Sequence, residues 1–498
     1  MNKVIILVPI TLYMCFHLFG LSRSSILTAP PLSALIVTFE NIYDISLLAN
    51  TLSDQGIDTS LIIPNQAINE LYNNLIDVEV LQLDVHTSVS KNNKNIYMIE
   101  ACDALLRDQE ILERVKELQP TFTIFPALRH DGCLLPWVRH IQSIPVIWVG
   151  NLKEERYTFE NTGVALPMHN NGFLDRINNL LPDLETSNSD YLFHVSSLVT
   201  KYLPDVNVDI KDLYSDVRLV LWGGDTVLRS NFVPLTQLFV EVGCHHCRGV
   251  HPLPSDLQKS LITYKQGTIV VLLDNEYKTL VTELAKKLPK GREGQAVVWL
   301  INKNDKIVLP DKENLFVHTD IDRQDLIGYS RTRVVLSHCS DTEFLEAAFH
   351  GSPMICLPRD YKEFLNSERA VELGFARTVM TYVSADDLAK FTVQMIHETI
   401  NYRENARKVS LALRDRLNPA SDRLIYWLGY IARTKDSGSE NLLRPTSEGK
   451  LFVEDRKLIN GMLIGAFFGS IITIFCMVAP RIIDEYHQEG RLRRQHAL

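Results

Sequence analysis

The segment 334–358 contains a histidine and a carboxylate whose positions suggest a ligand site. Its apolar run 334–336 predicts a strand that ends just before His338, and a helix-like stretch with Glu346 follows. In parallel α/β proteins, ligands bind beyond the carboxyl ends of strands, where helix N-termini present free backbone N–H groups. His338 is therefore in a position that favours contact with a bound anion.

A second group of ligand-type residues is the run Cys244, His245, His246 and Cys247. Zinc prefers cysteine and histidine ligands, but four adjacent residues cannot all face one ion, and no second pair stands nearby in the sequence. We therefore expect a loop or a disulfide here rather than zinc, and we predict no metal site.

Strand-like runs alternate with helical patterns along the chain and would position these residues. The runs lie at 33–39, 59–64, 78–84, 122–127, 145–150, 267–273, 295–301, 314–318, 333–338 and 353–358. The segment 44–56 has helical apolar spacing and ends at Gly56, a typical stop signal. This alternation predicts an α/β fold with two Rossmann-like domains and parallel sheets, which meet near residue 255.

The composition limits the class of protein. A chain of 498 residues with 46% hydrophobic and 22% charged residues can bury a large core, and its length favours two domains. The net charge is -9 and the pI is about 5.9, without a long basic cluster. These values argue against nucleic acid as the main partner.

Both ends of the chain carry patterns typical of the secretory pathway. Lys3 followed by the apolar run 4–19 predicts a signal peptide over 1–24. The uncharged run within 458–480 is long enough to cross a hydrocarbon core of ~30 Å, so we predict a transmembrane helix there. Arginines in the tail 481–498 place that tail in the cytosol by the positive-inside rule. The prediction is a single-pass type I membrane protein.

The cysteines agree with that compartment. Of the eight, Cys15 falls in the predicted signal peptide and Cys476 in the predicted membrane helix. The remaining six would lie in the oxidising lumen. Their number and spacing do not define a pairing.

At this point the chain resembles the UDP-glycosyltransferases of the secretory pathway, the UDP-glucuronosyltransferase-like family, over nearly its whole length. The family signature reads Thr-His-Gly-Gly-x-Asn-Gly/Ser, then Glu-Ala, His-Gly-x-Pro-Met, Pro, Asp-Gln and Asn. The positions that match at the family spacing are His338, Glu346, Ala347, His350, Gly351, Pro353, Met354, Pro358 and Asn366.

The resemblance implies the GT-B fold and a division of the chain. It implies an N-terminal, acceptor-side Rossmann-like domain over 25–255 and a C-terminal, nucleotide-sugar-side domain over 256–433. A linker over 434–457 then leads to the membrane helix, and the resemblance implies the endoplasmic reticulum as the location.

The resemblance also assigns roles to the remnants of a nucleotide-sugar site. It directs His338 toward the diphosphate and Glu346 toward the ribose, and Asn366 belongs to the same site. The alternative for the first two residues is structural: a strand-end histidine and a helix-surface carboxylate that are kept by packing.

Several positions that would hold the donor have changed. The family's two glycines after the histidine are Cys339 and Ser340, so side chains now stand where backbone approaches a phosphate. The next Asn and Gly/Ser positions fall on Thr342 and Glu343, and a second diphosphate loop falls on 271–275.

The other changes concern the uracil and the sugar. The tryptophan that stacks on uracil falls on Asp320, and the Asp-Gln pair that holds the sugar hydroxyls is Lys362 and Glu363. Together with Asp274 and Glu343, Asp320 brings acidic groups to a pocket for a dianion. Repulsion between like charges predicts weak binding of UDP-sugars.

The family's general base is also replaced. The histidine that takes the acceptor proton corresponds to Asn41, and an amide cannot take that proton near neutral pH. The orienting aspartate falls near Ala127 or Leu128. His130 and Asp131 lie close by and form a candidate displaced pair, although adjacent residues on one loop usually diverge.

These changes predict a catalytically degenerate family member in the endoplasmic reticulum membrane. It would bind a small lipophilic ligand, or form a homo- or hetero-oligomer with active relatives as a regulatory subunit. The alternative is an active enzyme that transfers a hexosyl or glucuronosyl group to small lipophilic acceptors. No cofactor is implied, apart from the UDP-sugar donor if the chain is active.

Overall fold

The structure is a computed structural model. It describes residues 31–72, 75–85, 94–127, 131–150, 162, 186–206, 210–229, 235–301, 313–397, 399–435, 443 and 448–495. The predicted signal peptide, Leu128 and His130 lie outside these residues. So does the side chain of Asp131, although its backbone begins a helix.

The first half of the chain forms a seven-stranded parallel sheet of order β3-β2-β1-β4-β5-β6-β7. The strands are β1 (Ser33–Val37), β2 (Asp58–Pro64), β3 (Val78–Leu83), β4 (Phe122–Pro126), β5 (Ile144–Val149), β6 (Leu219–Trp222) and β7 (Phe239–Glu241). The α-helices described in this half are α1 (Ile42–Asp54), α2 (Lys94–Arg107), α3 (Gln109–Leu118), α4 (Asp131–His140), α5 (Thr186–Tyr202) and α6 (Ile210–Tyr214), with short 3-10 helices at Asn65–Glu70 and Thr226–Leu228.

The second half forms a six-stranded parallel sheet of order β10-β9-β8-β11-β12-β13. The strands are β8 (Thr268–Val271), β9 (Ala296–Leu300), β10 (Leu315–His318), β11 (Thr332–Ser337), β12 (Met354–Cys356) and β13 (Ala376–Thr378). The helices are α7 (Ser255–Ile262), α8 (Lys278–Lys287), α9 (Arg323–Ile327), α10 (Asp341–His350), α11 (Tyr361–Glu372), α12 (Ala385–His397) and α13 (Thr399–Arg414), with a 3-10 helix at Asn275–Tyr277.

Both sheets are buried on their two faces. Strands β4 and β8 are buried at every position, because helices cover both faces of a parallel sheet. Each of the ten predicted strands is present, within a few residues at each end, and the α/β prediction is confirmed. Strands β6, β7 and β13 were not predicted; each has only three or four residues.

The chain returns to the first sheet near its end. Helix α14 (Ala420–Thr434) packs with Leu424, Leu428 and Ile431 into the apolar cluster that contains Val240 and Val242 of the first half. The last helix before the predicted linker therefore lies on the first sheet, although its residues follow those of the second.

One long helix, α15 (Glu448–Gln495), contains the predicted membrane segment. Within it, Gly461–Ile483 has a mean hydropathy of 2.3, and among the described residues it is the one helix long and apolar enough to cross a membrane. This supports association with a membrane. The orientation of the chain across that membrane stays a prediction.

The six cysteines expected in the lumen are paired. The disulfides are Cys102–Cys133, Cys244–Cys247 and Cys339–Cys356. The Cys-His-His-Cys run is thus closed by a disulfide, which was one of the two structures expected for it. In the described ranges, no group of three or more His, Cys, Asp or Glu residues is arranged to hold a metal ion.

Candidate functional site

His338 lies directly beyond the carboxyl end of β11, as predicted, and its side chain is 2% exposed. Its Nδ1 is 2.8 Å from the carbonyl oxygen of Leu357, which accepts the hydrogen bond and fixes the ring. The Nε2 atom has no hydrogen-bond partner among the described residues and lies 3.7 Å from an oxygen of Asp274. Nε2 is therefore the ring atom that remains for a ligand.

The N-terminus of α10, next to His338, is closed by the chain itself. Cys339 keeps a left-handed backbone with φ of 64°, and Ser340 is the N-cap of the helix. The Ser340 N–H donates to Glu343 Oε2 at 3.0 Å, and the Ser340 Oγ accepts from the Glu343 N–H at 3.5 Å, which completes a capping box. The carboxylate of Glu343 thus occupies one backbone donor, the Ser340 N–H, that an anion could use.

Glu343 is nearly fully buried, and burial raises the pKa of its carboxyl group, against the attraction of Arg323 and His338. Charge repulsion is therefore not the only way in which Glu343 would act on a diphosphate. Its carboxyl group also accepts a hydrogen bond from the N-cap of α10.

Glu346, the predicted ribose ligand, is 1% exposed and already bound. Arg323 Nε donates to Glu346 Oε2 at 2.6 Å and Arg323 Nη2 donates to Oε1 at 2.8 Å, a bidentate pair. His246 Nε2 lies 3.2 Å from Oε1. Burial alone would raise the pKa of Glu346, but attraction to Arg323 and His246 and the hydrogen bonds from both together outweigh it and lower the pKa to about 2.

Arg323 is held by the first domain as well. Its guanidinium lies 4.7 Å above the ring of Tyr43, a cation–π distance. Beside it, the Tyr72 hydroxyl donates to Asp322 Oδ2 at 2.8 Å. The ion pair between Arg323 and Glu346 is thus contacted by Tyr43 from the other side of the cleft, and Tyr72 bonds the residue next to Arg323.

Lys362, at a position that the resemblance assigns to the sugar, belongs to a second network of hydrogen bonds and ion pairs within the protein. Lys362 Nζ lies 2.8 Å from Asp341 Oδ2, and Asn366 Nδ2 donates to Asp341 Oδ1 at 2.8 Å and to the Cys339 carbonyl at 3.1 Å. This network reaches Gly150 after β5: a Cβ atom there would lie 3.1 Å from Asp341 Oδ2. Asn366 therefore bonds within the chain, beside His338 and α10, and its role in a nucleotide-sugar site stays a prediction.

Asp274 and Glu363 share one arginine. Arg359 bonds Asp274 Oδ2 through Nη1 and Glu363 Oε1 through Nη2, the latter at 2.7 Å. Asp320, by contrast, is exposed at the end of β10. Of the three acids expected to repel a diphosphate, one is ion-paired, one caps a helix and one faces solvent.

In the first domain, Asn41 is the N-cap of α1, with a left-handed backbone, an exposed side chain and no capping hydrogen bond from that side chain. Ala127 is buried immediately after β4. The candidate pair of His130 and Asp131 stays a prediction, because His130 and the side chain of Asp131 are outside the described residues.

Sequence reasoning missed two residues of this site, Arg323 and Asp44. Asp44 lies in the first turn of α1, and its Oδ1 accepts from Thr342 Oγ1 at 3.1 Å across the cleft. Burial raises the pKa of Asp44, against the attraction of Lys362. The sequence did contain a signal for Asp44. It follows Asn41, the position aligned with the family's histidine, by three residues, and side chains at i and i+3 share a helix face.

The two facing sheets with a cleft at their carboxyl ends are the GT-B fold, which solved glycosyltransferases share. CalG4, the calicheamicin glycosyltransferase, aligns with a TM-score of 0.56 and 16% identity over 80% of this chain and 99% of that one. A UDP-glucosyltransferase from Polygonum tinctorium aligns with a TM-score of 0.53 and 15% identity over 82% and 99%. At these identities the likeness concerns the fold alone.

Sequence similarity defines the family. Residues 65–449 match the family described as UDP-glucoronosyl and UDP-glucosyl transferase, and the chain belongs to that family. It is 23% identical to rabbit (Oryctolagus cuniculus) UDP-glucuronosyltransferase 2C1 over 69% of this chain and 70% of that protein. It is 22% identical to mouse (Mus musculus) UDP-glucuronosyltransferase 2A3 over 80% and 75%. With rat (Rattus norvegicus) UDP-glucuronosyltransferase 2A1 it is 26% identical over 48% and 46%.

Proposed function

We propose that this chain is a membrane-anchored family member that does not use ordinary UDP-sugars and instead acts as a ligand-binding or regulatory partner of active relatives. The observation that carries the proposal is the bidentate pair between Arg323 and Glu346. In the family resemblance, Glu346 binds the ribose, and here both of its oxygens are bonded within the protein.

Displacing Arg323 would be costly for a donor. The pair is almost fully buried, and removing one partner of such a pair typically costs about 3 to 5 kcal/mol. Two neutral ribose hydroxyls would have to replace a charged guanidinium, and hydrogen bonds from neutral donors are the weaker kind. A UDP-sugar that bound in the family manner would leave Arg323 without its carboxylate.

The diphosphate side supports the same proposal. Glu343 accepts a hydrogen bond from the Ser340 N–H at the start of α10. A diphosphate would have to compete for this donor with a carboxylate that is already held beside it by the chain. On the acceptor side, Asn41 cannot serve as a general base. The donor and acceptor sides therefore both depart from the ordinary reaction.

Calorimetry of the full chain in detergent micelles tests the proposal, with UDP and UDP-glucuronic acid up to millimolar concentration. We expect no heat of binding from the unmodified protein beyond the heat that inorganic pyrophosphate gives at the same concentration, since pyrophosphate lacks the uridine that the donor cleft would recognise. The variant Arg323→Gln with Glu343→Ser removes the two side chains that, in this proposal, obstruct the donor. A control with the same two kinds of substitution, Arg114→Gln with Glu117→Ser, alters an exposed ion pair on α3.

Two outcomes decide the matter. UDP binding that appears in the Arg323→Gln and Glu343→Ser variant, but not in the control, supports occlusion by internal side chains. Tight UDP binding by the unmodified chain would contradict the proposal. In transfer assays with phenolic acceptors, Asn41→His alone should give no turnover, because an unbound donor cannot react however good the base is.

Active glycosyl transfer to lipophilic acceptors is the second candidate, and the carboxyl group of Asp44 favours it. Asp44 is half-buried on α1, and a raised pKa is a property of general bases near neutral pH. If the chain transfers a hexosyl or glucuronosyl group, Asp44→Asn should abolish turnover while Asn41→Ala leaves it intact. Loss in both variants, or in neither, would count against Asp44 as the base.

A further inference from the structure

Three arginines lie together on the second domain, at the face opposite the donor cleft. Arg333 is the second residue of β11, whose other end points to the cleft. Arg403 and Arg407 are four residues apart on α13, so they project from the same face of that helix. Arg403 Nη2 donates to the Ser330 carbonyl at 3.2 Å, which joins α13 to the loop before β11.

The backbone is adapted to this arrangement at Gly267, just before β8. A Cβ atom there would lie 2.9 Å from Arg333 Nε and 2.7 Å from the Arg331 carbonyl oxygen, and the φ of Gly267 is +91°. A larger residue would displace the Arg333 side chain. Arg331 itself points elsewhere, because its Nη2 donates to the Tyr264 carbonyl at 2.6 Å.

The three positive charges lack counter-ions. In the described part of the chain, the side chains of Arg333 and Arg407 make no hydrogen bond or ion pair, and Arg403 has only the backbone contact above. The nearby carboxylate, Glu404, pairs with Lys408 at 3.0 Å. Burial, followed by repulsion from Arg333 and Arg407, lowers the pKa of Arg403.

Such a grouping is unfavourable unless an anion binds to it. The chain as a whole carries a net charge of -9, so these arginines are not part of a generally basic surface. Guanidinium groups are planar forks that match phosphate oxygens in bidentate geometry, and several around one group can neutralise a dianion. We propose that Arg333, Arg403 and Arg407 form a binding site for a phosphate group, distinct from the donor cleft.

Phosphate monoesters reach such a site from two sources, a soluble ester or a phospholipid headgroup. The soluble arm uses calorimetry of the full chain in detergent micelles with inorganic pyrophosphate at low ionic strength. We expect saturable binding that weakens about a hundredfold in the Arg403→Gln, Arg407→Gln variant, since each charge-assisted contact contributes roughly tenfold or more. The charge-matched control is Lys259→Gln with Lys390→Gln, two exposed lysines elsewhere on the domain, and it should bind as the unmodified chain does.

A second control separates this site from the cleft. The His338→Ala variant should keep pyrophosphate binding, because His338 lies at the opposite end of β11. Equal affinity in the arginine variant and the unmodified chain would overturn the proposal. So would loss of binding in His338→Ala with the arginines intact.

The lipid arm places the full chain in nanodiscs of phosphatidylcholine, with or without phosphatidylinositol phosphate, and measures hydrogen exchange of 399–414. Protection that requires the phosphorylated lipid and disappears in the arginine variant assigns the headgroup as the source. Pyrophosphate binding in micelles without lipid-dependent protection assigns a soluble ester. The absence of both effects overturns the proposal.

Discussion

Two helix N-termini face each other across the cleft, and they differ in how their free N–H groups are used. Helix α10 is closed by Ser340 and Glu343 in a capping box. Helix α1 begins at Asn41, whose side chain is exposed and makes no capping bond. At α10, internal side chains thus make the bonds of the N-cap, whereas at α1 the side chain of Asn41 makes none.

This difference bears on how readily each of the two positions could take a ligand. An unfilled position can still accept a small molecule, and one substitution can in principle return the missing group. A position filled by buried ion pairs must first be emptied, and each pair resists removal. We therefore expect ligand binding, where it occurs, on the first-domain side of the cleft.

The largest expected effect concerns the buried ion pair between Arg323 and Glu346. Arg323→Ala should lower the free energy of unfolding by about 3 to 5 kcal/mol, because it leaves the buried Glu346 carboxylate without its partner. Chemical denaturation of the full chain in detergent measures this. The double variant Arg323→Met, Glu346→Leu should recover most of the loss. A loss below about 1 kcal/mol in the single variant would show that the pair is exposed to solvent and easily replaced.

The pH dependence of stability sharpens the same point. The pKa of Glu346 is about 2 in the folded protein and about 4.3 in an unfolded chain. Because the ionised Glu346 stabilises the folded state, the lowered pKa adds to the free energy of unfolding. This addition is fully present above the unfolded pKa and is lost as the pH falls from about 4.3 to 2. The contribution is on the order of 3 kcal/mol. Denaturation curves at several pH values should show a smaller acid loss in Arg323→Met, Glu346→Leu.

Glu343 provides the internal contrast. Burial raises the pKa of this carboxyl, so its ionised form opposes folding, and stability from this group increases as the pH falls through its folded pKa. Glu343→Gln should therefore flatten the pH profile in the direction opposite to the Glu346 change. Parallel shifts in both variants would contradict the assignment of opposite pKa directions.

The smallest expected effect compares the two caps directly. Ser340→Ala should cost about 1 kcal/mol, because it removes the side-chain acceptor at the start of α10. Asn41→Gly should cost nothing, since no cap bond is lost and glycine adopts the left-handed backbone of this position freely. Thermal unfolding of both variants makes the comparison. A larger loss of stability in Asn41→Gly than in Ser340→Ala would contradict the assignment of α10 as the helix with the bonded N-cap.

Periodicity and turn signals were sufficient to predict the α/β fold and ten of the strands, because each depends on residues that are neighbours in the sequence. Strands β6, β7 and β13 were missed because three or four residues carry too little periodicity. The placement of His338 beyond β11 followed from the same local logic.

The bonding of the site could not be predicted in this way. Arg323 lies 23 residues from Glu346, and Arg359 lies 85 residues from Asp274. Which cation meets which carboxylate depends on how α9 and α10 pack and on how the β8 loop approaches α11. The sequence indicated extra acids near a phosphate site, and repulsion was the natural expectation. Pairing instead of repulsion is a consequence of tertiary structure.

The return of α14 to the first sheet bears on which sheet lies next, along the chain, to the predicted membrane helix. Leu424, Leu428 and Ile431 join that helix to the first-sheet core, and the chain leaves from there toward α15. The second sheet is an insertion between the crossing at 242–255 and the crossing at 414–420. We therefore predict that, with α15 in a membrane, a change in cleft width moves the second domain relative to the anchor more than the first, so a reporter of cleft opening belongs on the second domain.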